Sequence, residues 1–226
     1  MGPPIKSINS DGFTVVPAVI SAAECERLGH LLDAREISRV GTRNLLTERW
    51  CAELAMALQN HQILWSALPR DAVPIQCTYF DKSSDKNWLV ALHQDLSIPV
   101  SRRVDSPECS GWSEKEGVVY VQPPAAVLES LLAIRVHIDP CPPESGALRV
   151  VPGSHSHGRV DAATASAMRS AIGERVVPVG EGGALLMRPL LLHASSKATV
   201  PAQRRVLHFS FGPRVLPSGL SWAQVA

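Results

Sequence analysis

Two textures of hydrophobic spacing divide the chain near residue 70. Before that point, apolar side chains recur at three- and four-residue intervals, the spacing of one helix face. A helix is predicted from Ser21, where Ser21-Ala22-Ala23-Glu24 fits a capping box in which Ser21 and Glu24 satisfy each other's end donors. Cys25, Leu28, Leu31 and Leu32 then share a face. A second helix is predicted from about Thr47, where Trp50, Leu54, Ala57 and Leu58 repeat at helical spacing, and a third near Gln62–Leu68 stops at Pro69. Ahead of these, Phe13 to Pro17 is a short apolar stretch.

Beyond residue 70 the spacing turns to strands. Ile75–Phe80, Trp88–Asp95, Val118–Gln122, the long apolar Ser130–Asp139, Leu148–Val151, Arg175–Val179, Ala184–Met187 and Arg204–Phe211 are punctuated by Gly and Pro. Asp161–Ile172 is a polar-alanine helix between two of them. Many short strands with Gly/Pro turns predict a mainly β fold, a sandwich or barrel. A jelly roll is preferred because it sets candidate ligands on facing strands at the barrel mouth. The expected organisation is one domain over 1–226, mostly helical over 1–70 with these helices packed on one sheet, and a jelly-roll core over 71–226. The charged, proline-containing stretch 97–124, with Trp112 in its middle, is a possible lid.

Composition narrows the class. The chain has 226 residues, 22 Lys and Arg against 21 Asp and Glu, and a formal charge of +1. Such balance gives no electrostatic reason to expect nucleic acid or a membrane surface as partner. There is no apolar run of 18 or more residues, and Met1–Asp11 lacks the pattern of a signal peptide, so a soluble, cytoplasmic protein is expected. Five scattered cysteines without a C-x-x-C read as reduced packing residues. Oligomeric state is not legible.

The candidate chemistry lies in His93-Gln94-Asp95, with His193 100 positions after His93 and Arg204 11 beyond that. A His-x-Asp pair plus a distant His is the ligand set of the 2-His-1-carboxylate triad that holds non-haem Fe(II) on one face and leaves the other open. On a strand, residues i and i+2 point the same way, so His93 and Asp95 can reach one ion. A second pair, His137-Ile138-Asp139, offers the same pattern, and a lone pair is more often structural than metal-binding. A 2-oxoacid chelating iron needs its far carboxylate anchored, which suits the planar fork of arginine. Of Arg204 and Arg205, only one can face inward.

Three blocks carry a resemblance. Asn87-Trp88 before His93-Gln94-Asp95, then Gly146-Ala147-Leu148-Arg149-Val150-Val151-Pro152-Gly153-Ser154-His155, then His193-Ala194-Ser195 with Arg204, are similar to the phytanoyl-CoA dioxygenase family. Gly12-Phe13 with the Ser-initiated helix resembles that family's opening. The resemblance implies an Fe(II)/2-oxoglutarate oxygenase on a double-stranded β-helix, a jelly-roll variant. It implies that His93, Asp95 and His193 hold iron and carry catalysis, that Arg204 anchors the 2-oxoglutarate C5 carboxylate, and that Ser195 contacts the same co-substrate. It places the strand of His137 inside the barrel, away from the metal. The implied reaction consumes O2 and decarboxylates 2-oxoglutarate while hydrogen is removed from a substrate carbon. The carboxylate of Asp95, absent in related halogenases, favours hydroxylation, with desaturation or ring chemistry as alternatives.

Further pocket candidates are Gln76 toward the co-substrate and Trp88 and Arg43 toward the substrate. Arg135 and His137 share one strand face, either inward to contact a carboxylate or outward with Ile134, Val136 and Ile138 filling the core. The expected partner is a small or medium-sized metabolite. Two other classes compete: a catalytically silent jelly-roll metal- or ligand-binding protein, and a cupin-type zinc hydrolase or isomerase, against which Arg204 argues.

Overall fold

The computed structural model describes residues 3–34, 41–83, 85–201 and 203–226, with the side chains of 7 onward. In chain order it runs α1 (Pro3–Ser10), β1 (Phe13–Val16), α2 (Ala22–Asp33), β2 (Gly41–Thr42), α3 (Arg49–Asn60), α4 (Gln62–Trp65), β3 (Ala72–Lys82), β4 (Val90–His93) and β5 (Ile98–Val100). It continues with β6 (Ser110–Lys115), β7 (Val118–Gln122), α5 (Ala125–Glu129), β8 (Leu132–His137), β9 (Leu148–Val150), α6 (Ala162–Ile172), β10 (Arg175–Val177), β11 (Ala184–Met187), β12 (His193–Ser195) and β13 (Arg204–Pro213).

The strands form a six-stranded sheet, β1-β11-β8-β13-β3-β2, and a four-stranded sheet, β10-β9-β12-β4. All pairings within them are antiparallel. Leu148 and Val150 of the smaller sheet pack with Ala133, Leu185 and Met187 of the larger, so the two sheets close on one another as a jelly roll.

Side-chain alternation divides the larger sheet sharply. Ile134, Val136, Cys77, Tyr79, Leu207 and Phe209 point outward into the largest apolar cluster, against Leu28 and Leu32 of α2 and Leu54 and Leu58 of α3. The opposite positions point into the barrel. The two faces proposed for β8 are therefore both used: the apolar one packs under helices, and Arg135 turns inward.

Local signals explain the helices. Ser21 accepts a hydrogen bond from the Glu24 backbone N–H at 3.2 Å. The capping box is only half formed, because the Glu24 carboxylate turns to Arg27 at 2.6 and 2.8 Å instead. Asp161 caps α6 through the Thr164 N–H at 2.7 Å.

Half of residues 97–124 are strand. β5, β7 and β6 make a third, antiparallel sheet that roofs the barrel mouth, packed over Val73, Ile75 and the tail residues Leu216 and Trp222. The Lys115–Val118 hairpin tip is fastened to β2: Glu116 accepts from the Thr42 hydroxyl at 2.6 Å and the Arg43 N–H at 2.9 Å. Among the described residues, no helix is long and apolar enough to cross a membrane.

Leu28 is fully buried where α2 meets the larger sheet. Leu28→Ala is expected to lower unfolding free energy by about 2–5 kcal/mol through lost burial and a residual cavity, read by urea denaturation.

Candidate metal and co-substrate site

The site is built on one pairing. β12 runs antiparallel to β4, with His193 directly opposite His93. The two histidines sit on adjacent, hydrogen-bonded strands of one sheet rather than on facing strands as expected, and their ring centroids lie 4.2 Å apart. β4 ends at His93, so Asp95 lies just past the strand. The alternation nevertheless persists: Asp95 looks into the barrel and Gln94 looks away. Gln94 is buried and bolts the segment down, donating to the carbonyls of Gly158 (2.8 Å) and Leu190 (2.7 Å) and accepting from the Val160 N–H at 3.0 Å.

Both imidazoles are held in one tautomer. His93 Nδ1 lies 2.8 Å from the Ala91 carbonyl and His193 Nδ1 2.9 Å from the Leu191 carbonyl. A carbonyl only accepts, so each Nδ1 donates, and each neutral ring presents the Nε2 lone pair to the cavity. One Asp95 oxygen is 3.8 Å from His93 Nε2 and the other 3.8 Å from His193 Nε2. The three ligand atoms fall within 4.8 Å of one another, which is too long for direct hydrogen bonds and close enough to share one ion.

Protonation suits that use. Burial, opposed by Asp95, pushes His193 down to about 4. Burial raises the Asp95 carboxyl, but His193, His208, His93 and Arg135 more than offset it and hold it below its ordinary value. Near neutral pH the site thus presents a carboxylate and a neutral His193, the forms a divalent metal needs.

The second His-x-Asp pair is dispersed because β8 ends at His137, so the strand alternation no longer governs Asp139. His137 points inward but is buried outside the cavity lining, while Asp139 turns outward and is consumed by Arg205. Arg205 gives it a backbone N–H at 2.8 Å and guanidinium bonds at 2.9 and 2.7 Å, and also reaches Asp33 at 2.9 Å. The inward arginine is therefore Arg204.

Arg204 is buried in the cavity wall and donates to the Gly146 carbonyl at 2.5 Å, leaving Nε without a partner. Gly146 has φ +73°, and a Cβ there would meet the Ser196 carbonyl oxygen at 2.5 Å, so only glycine lets this turn close against Arg204. Ser195 lies in the same wall. An arginine with spare buried donors beside a serine hydroxyl fits a carboxylate.

The cavity of about 480 Å³ also exposes Gln76, Trp88, Arg43 and Arg135. Gln76 donates to the Tyr120 hydroxyl at 2.9 Å and Arg43 is paired with Glu116 at 3.3 Å. Residues that sequence reasoning passed over are Thr78, Phe80 and Lys115 in the wall, and Lys82 behind it. Lys82 is almost wholly buried, donates to the Ser196 carbonyl at 2.7 Å and lies 5.3 Å from the Trp88 ring centre. Burial and the neighbouring Arg204 push its pKa down to about 8. The alternation Gln76, Thr78, Phe80, Lys82 is the signal that could have found this stripe.

The Leu148–His155 block supports the site directly, with Val150 paired opposite His193 and Leu148 opposite Ser195. Val151 donates to the Leu192 carbonyl at 2.9 Å and the buried Ser154 hydroxyl accepts the Leu192 N–H at 2.8 Å, fixing the strand one residue before His193.

A family model described as phytanoyl-CoA dioxygenase matches residues 8–206. No curated protein sequence matches the chain. Among solved structures, the chain is similar to the non-haem α-ketoglutarate-dependent carbocyclase SnoK from nogalamycin biosynthesis, with 14% identity, TM-score 0.69, and coverage of 100% of this chain and 93% of that one. It is also similar to HygX from Streptomyces hygroscopicus bound to nickel, 2-oxoglutarate and hygromycin B, with 17% identity, TM-score 0.67 and coverage of 100% and 98%. A third is EctD from S. alaskensis, with 16% identity, TM-score 0.65 and coverage of 92% and 75%. At such identities these structures share the fold.

Burial holds His137 neutral, with its pKa pushed down to about 3. Its folded value lies below the unfolded 6.5, so it contributes stability above pH 6.5 that is lost as pH falls. His137→Gln is expected to flatten the acid loss of stability by about 1.4 kcal/mol per pH unit between roughly pH 6 and 4, read by urea melts across that window.

Proposed function

The chain belongs to the phytanoyl-CoA dioxygenase family of Fe(II)/2-oxoglutarate-dependent oxygenases, and from that premise we propose that it hydroxylates a small or medium-sized metabolite at an unactivated carbon. The observation that carries the reading is the convergence of His93 Nε2, His193 Nε2 and the Asp95 carboxylate at the wall of a cavity that also holds Arg204. In this reading the three side chains hold Fe(II) by one face. When bound, the metal with 2-oxoglutarate and O2 supplies the oxidising power, the co-substrate leaving as succinate and carbon dioxide.

The chain's own contribution is positioning. Arg204 and Ser195 take the far carboxylate of the co-substrate, and Gln76 lies on the adjoining wall. Backbone carbonyls hold both histidine rings so that no reorientation is needed when the metal arrives. The β5-β7-β6 roof limits water at the cavity mouth, and Trp88, Phe80 and Leu96 offer apolar walls to a substrate carbon skeleton. The whole chain serves this one site, with the helical part over 1–70 backing the larger sheet and 97–124 acting as roof.

Asp95 supports oxygen insertion, since it fills the coordination position that a halide would need. Ring chemistry is the second reading, supported by the fold that the chain shares with the carbocyclase SnoK. A silent binding protein would keep the metal and show no substrate-dependent oxygen uptake.

Anaerobic titration with Fe(II) and then 2-oxoglutarate tests the reading. A weak visible charge-transfer band is expected for the wild type and His137→Ala, and its loss for His93→Ala. Arg204→Gln is expected to retain the band but weaken 2-oxoglutarate binding on the order of 100-fold, because a buried charged partner is removed. No band under any condition overturns the assignment.

A further inference from the structure

The charges that line the cavity do not balance. Among its described lining residues Asp95 is the only acid, against Arg43, Lys115, Arg135 and Arg204. Arg43 is neutralised by Glu116. In the reading above, on which this inference rests, the two charges of the metal are met by Asp95 and the chelating carboxylate of the co-substrate, and Arg204 is met by the far carboxylate. Arg135 and Lys115 remain, and Lys82 adds a further positive charge behind the wall. A cavity that stays positive after every cofactor is seated is built to receive an anion.

Arg135 is the stronger of the two observations. It is only 6% exposed, and among the described residues no carboxylate pairs with it. Leaving such a cation without a counter-charge costs several kcal/mol, on the order of the penalty for a broken buried ion pair. Its guanidinium is nonetheless held rigid. Nη1 donates to His208 Nδ1 at 2.7 Å, and the group lies 5.1 Å from the Phe80 ring centre. His208 accepts that bond only when neutral, and burial keeps it so, at about 3. The Nε of Arg135 has no partner. The result is a pre-aimed fork with free donors in the cavity wall.

Lys115 faces the cavity from the roof. Its ammonium lies 4.8 Å from the Tyr120 ring centre, on a strand whose tip is latched by Glu116. Burial and then Arg43 lower its pKa, with Asp95 opposing. Lys115, Arg135 and Asp95 line the same cavity, so both cations face the space beside the candidate metal ligands.

We infer that the primary substrate is itself an anion, a small molecule bearing a carboxylate or phosphate group, and that Arg135 with Lys115 selects it. Arg135 grips the charged group, and Lys115 adds attraction from the roof, so that the uncharged remainder of the molecule lies against Trp88 and Leu96 beside the metal.

The test uses anaerobic protein loaded with Fe(II) and 2-oxoglutarate, dialysed to equilibrium against benzoate, phenyl phosphate and benzamide as probes. Wild-type protein is expected to retain one anion per chain at least about tenfold better than benzamide, and the preferred anion decides between carboxylate and phosphate. Arg135→Gln and Lys115→Gln are each expected to lose that preference while keeping the charge-transfer band, and Arg135→Lys to recover part of it. Lys115 lies on an exposed hairpin, so its variant reports even where Arg135→Gln does not fold. Benzamide held as well as the anions, no anion held at millimolar concentration, or a preference unchanged in both variants overturns the inference. So does an Arg135→Gln protein that loses 2-oxoglutarate affinity instead, which assigns Arg135 to the co-substrate. Wild-type protein without the band overturns the metal reading, which separates the two failures.

Discussion

The antiparallel register that sets His193 opposite His93 is the constraint on which the rest of the site depends. Directly opposed residues in such a pair have Cβ atoms only about 5 Å apart, so two imidazoles a hundred positions apart in the chain arrive side by side without a loop to place them. Each ring is then tied to its own strand through Nδ1, and the neighbouring bonds of Leu192 to Val151 and Ser154 hold that strand in register from the far side. Gln94 does the same for the segment carrying Asp95. The three candidate metal ligands are therefore positioned by backbone pairing and a buried amide, with no metal needed to assemble them.

The larger sheet acts as a partition between two chemistries. Its outward side chains are apolar and lie under α2 and α3, while its inward stripes on β3, β8 and β13 carry Gln76, Thr78, Lys82, Arg135, Arg204 and His208. Because a one-residue slip exchanges the two faces, packing of the helical layer enforces the polar lining from behind. The same parity separates neighbours in sequence: Arg204 enters the cavity, whereas Arg205 binds Asp139 and Asp33 outside it. Structural and chemical arginines are distinguished by one step along a strand.

Charge burial gives the interior its character. Burial and the nearby Arg204 depress the proton affinity of both Arg135 and Lys82, and among the described residues Asp95 is the one carboxylate lining the cavity. Such crowding is tolerated because each cation is partly met by a carbonyl, a neutral imidazole or an aromatic face. What remains unmet is the property that sorts ligands by charge.

Much of this was legible in the chain. Periodicity located α2, α3, α6 and most strands, with β7 and β11 at their observed bounds, because a buried face leaves a regular apolar trace. The triad pattern and the blocks around it identified the family over nearly the whole length. β6 escaped because Ser110–Lys115 carries polar and charged residues and draws its order from pairing with β7. Residue type and spacing offered two His-x-Asp pairs and two adjacent arginines, and the family resemblance singled out His93, Asp95, His193 and Arg204. Which pair meets a distant histidine, and which arginine turns inward, depended on strand register and on the face covered by helices. Those are contacts between segments far apart in the chain, so spacing could not derive them and only the tertiary structure supplied their physical reason.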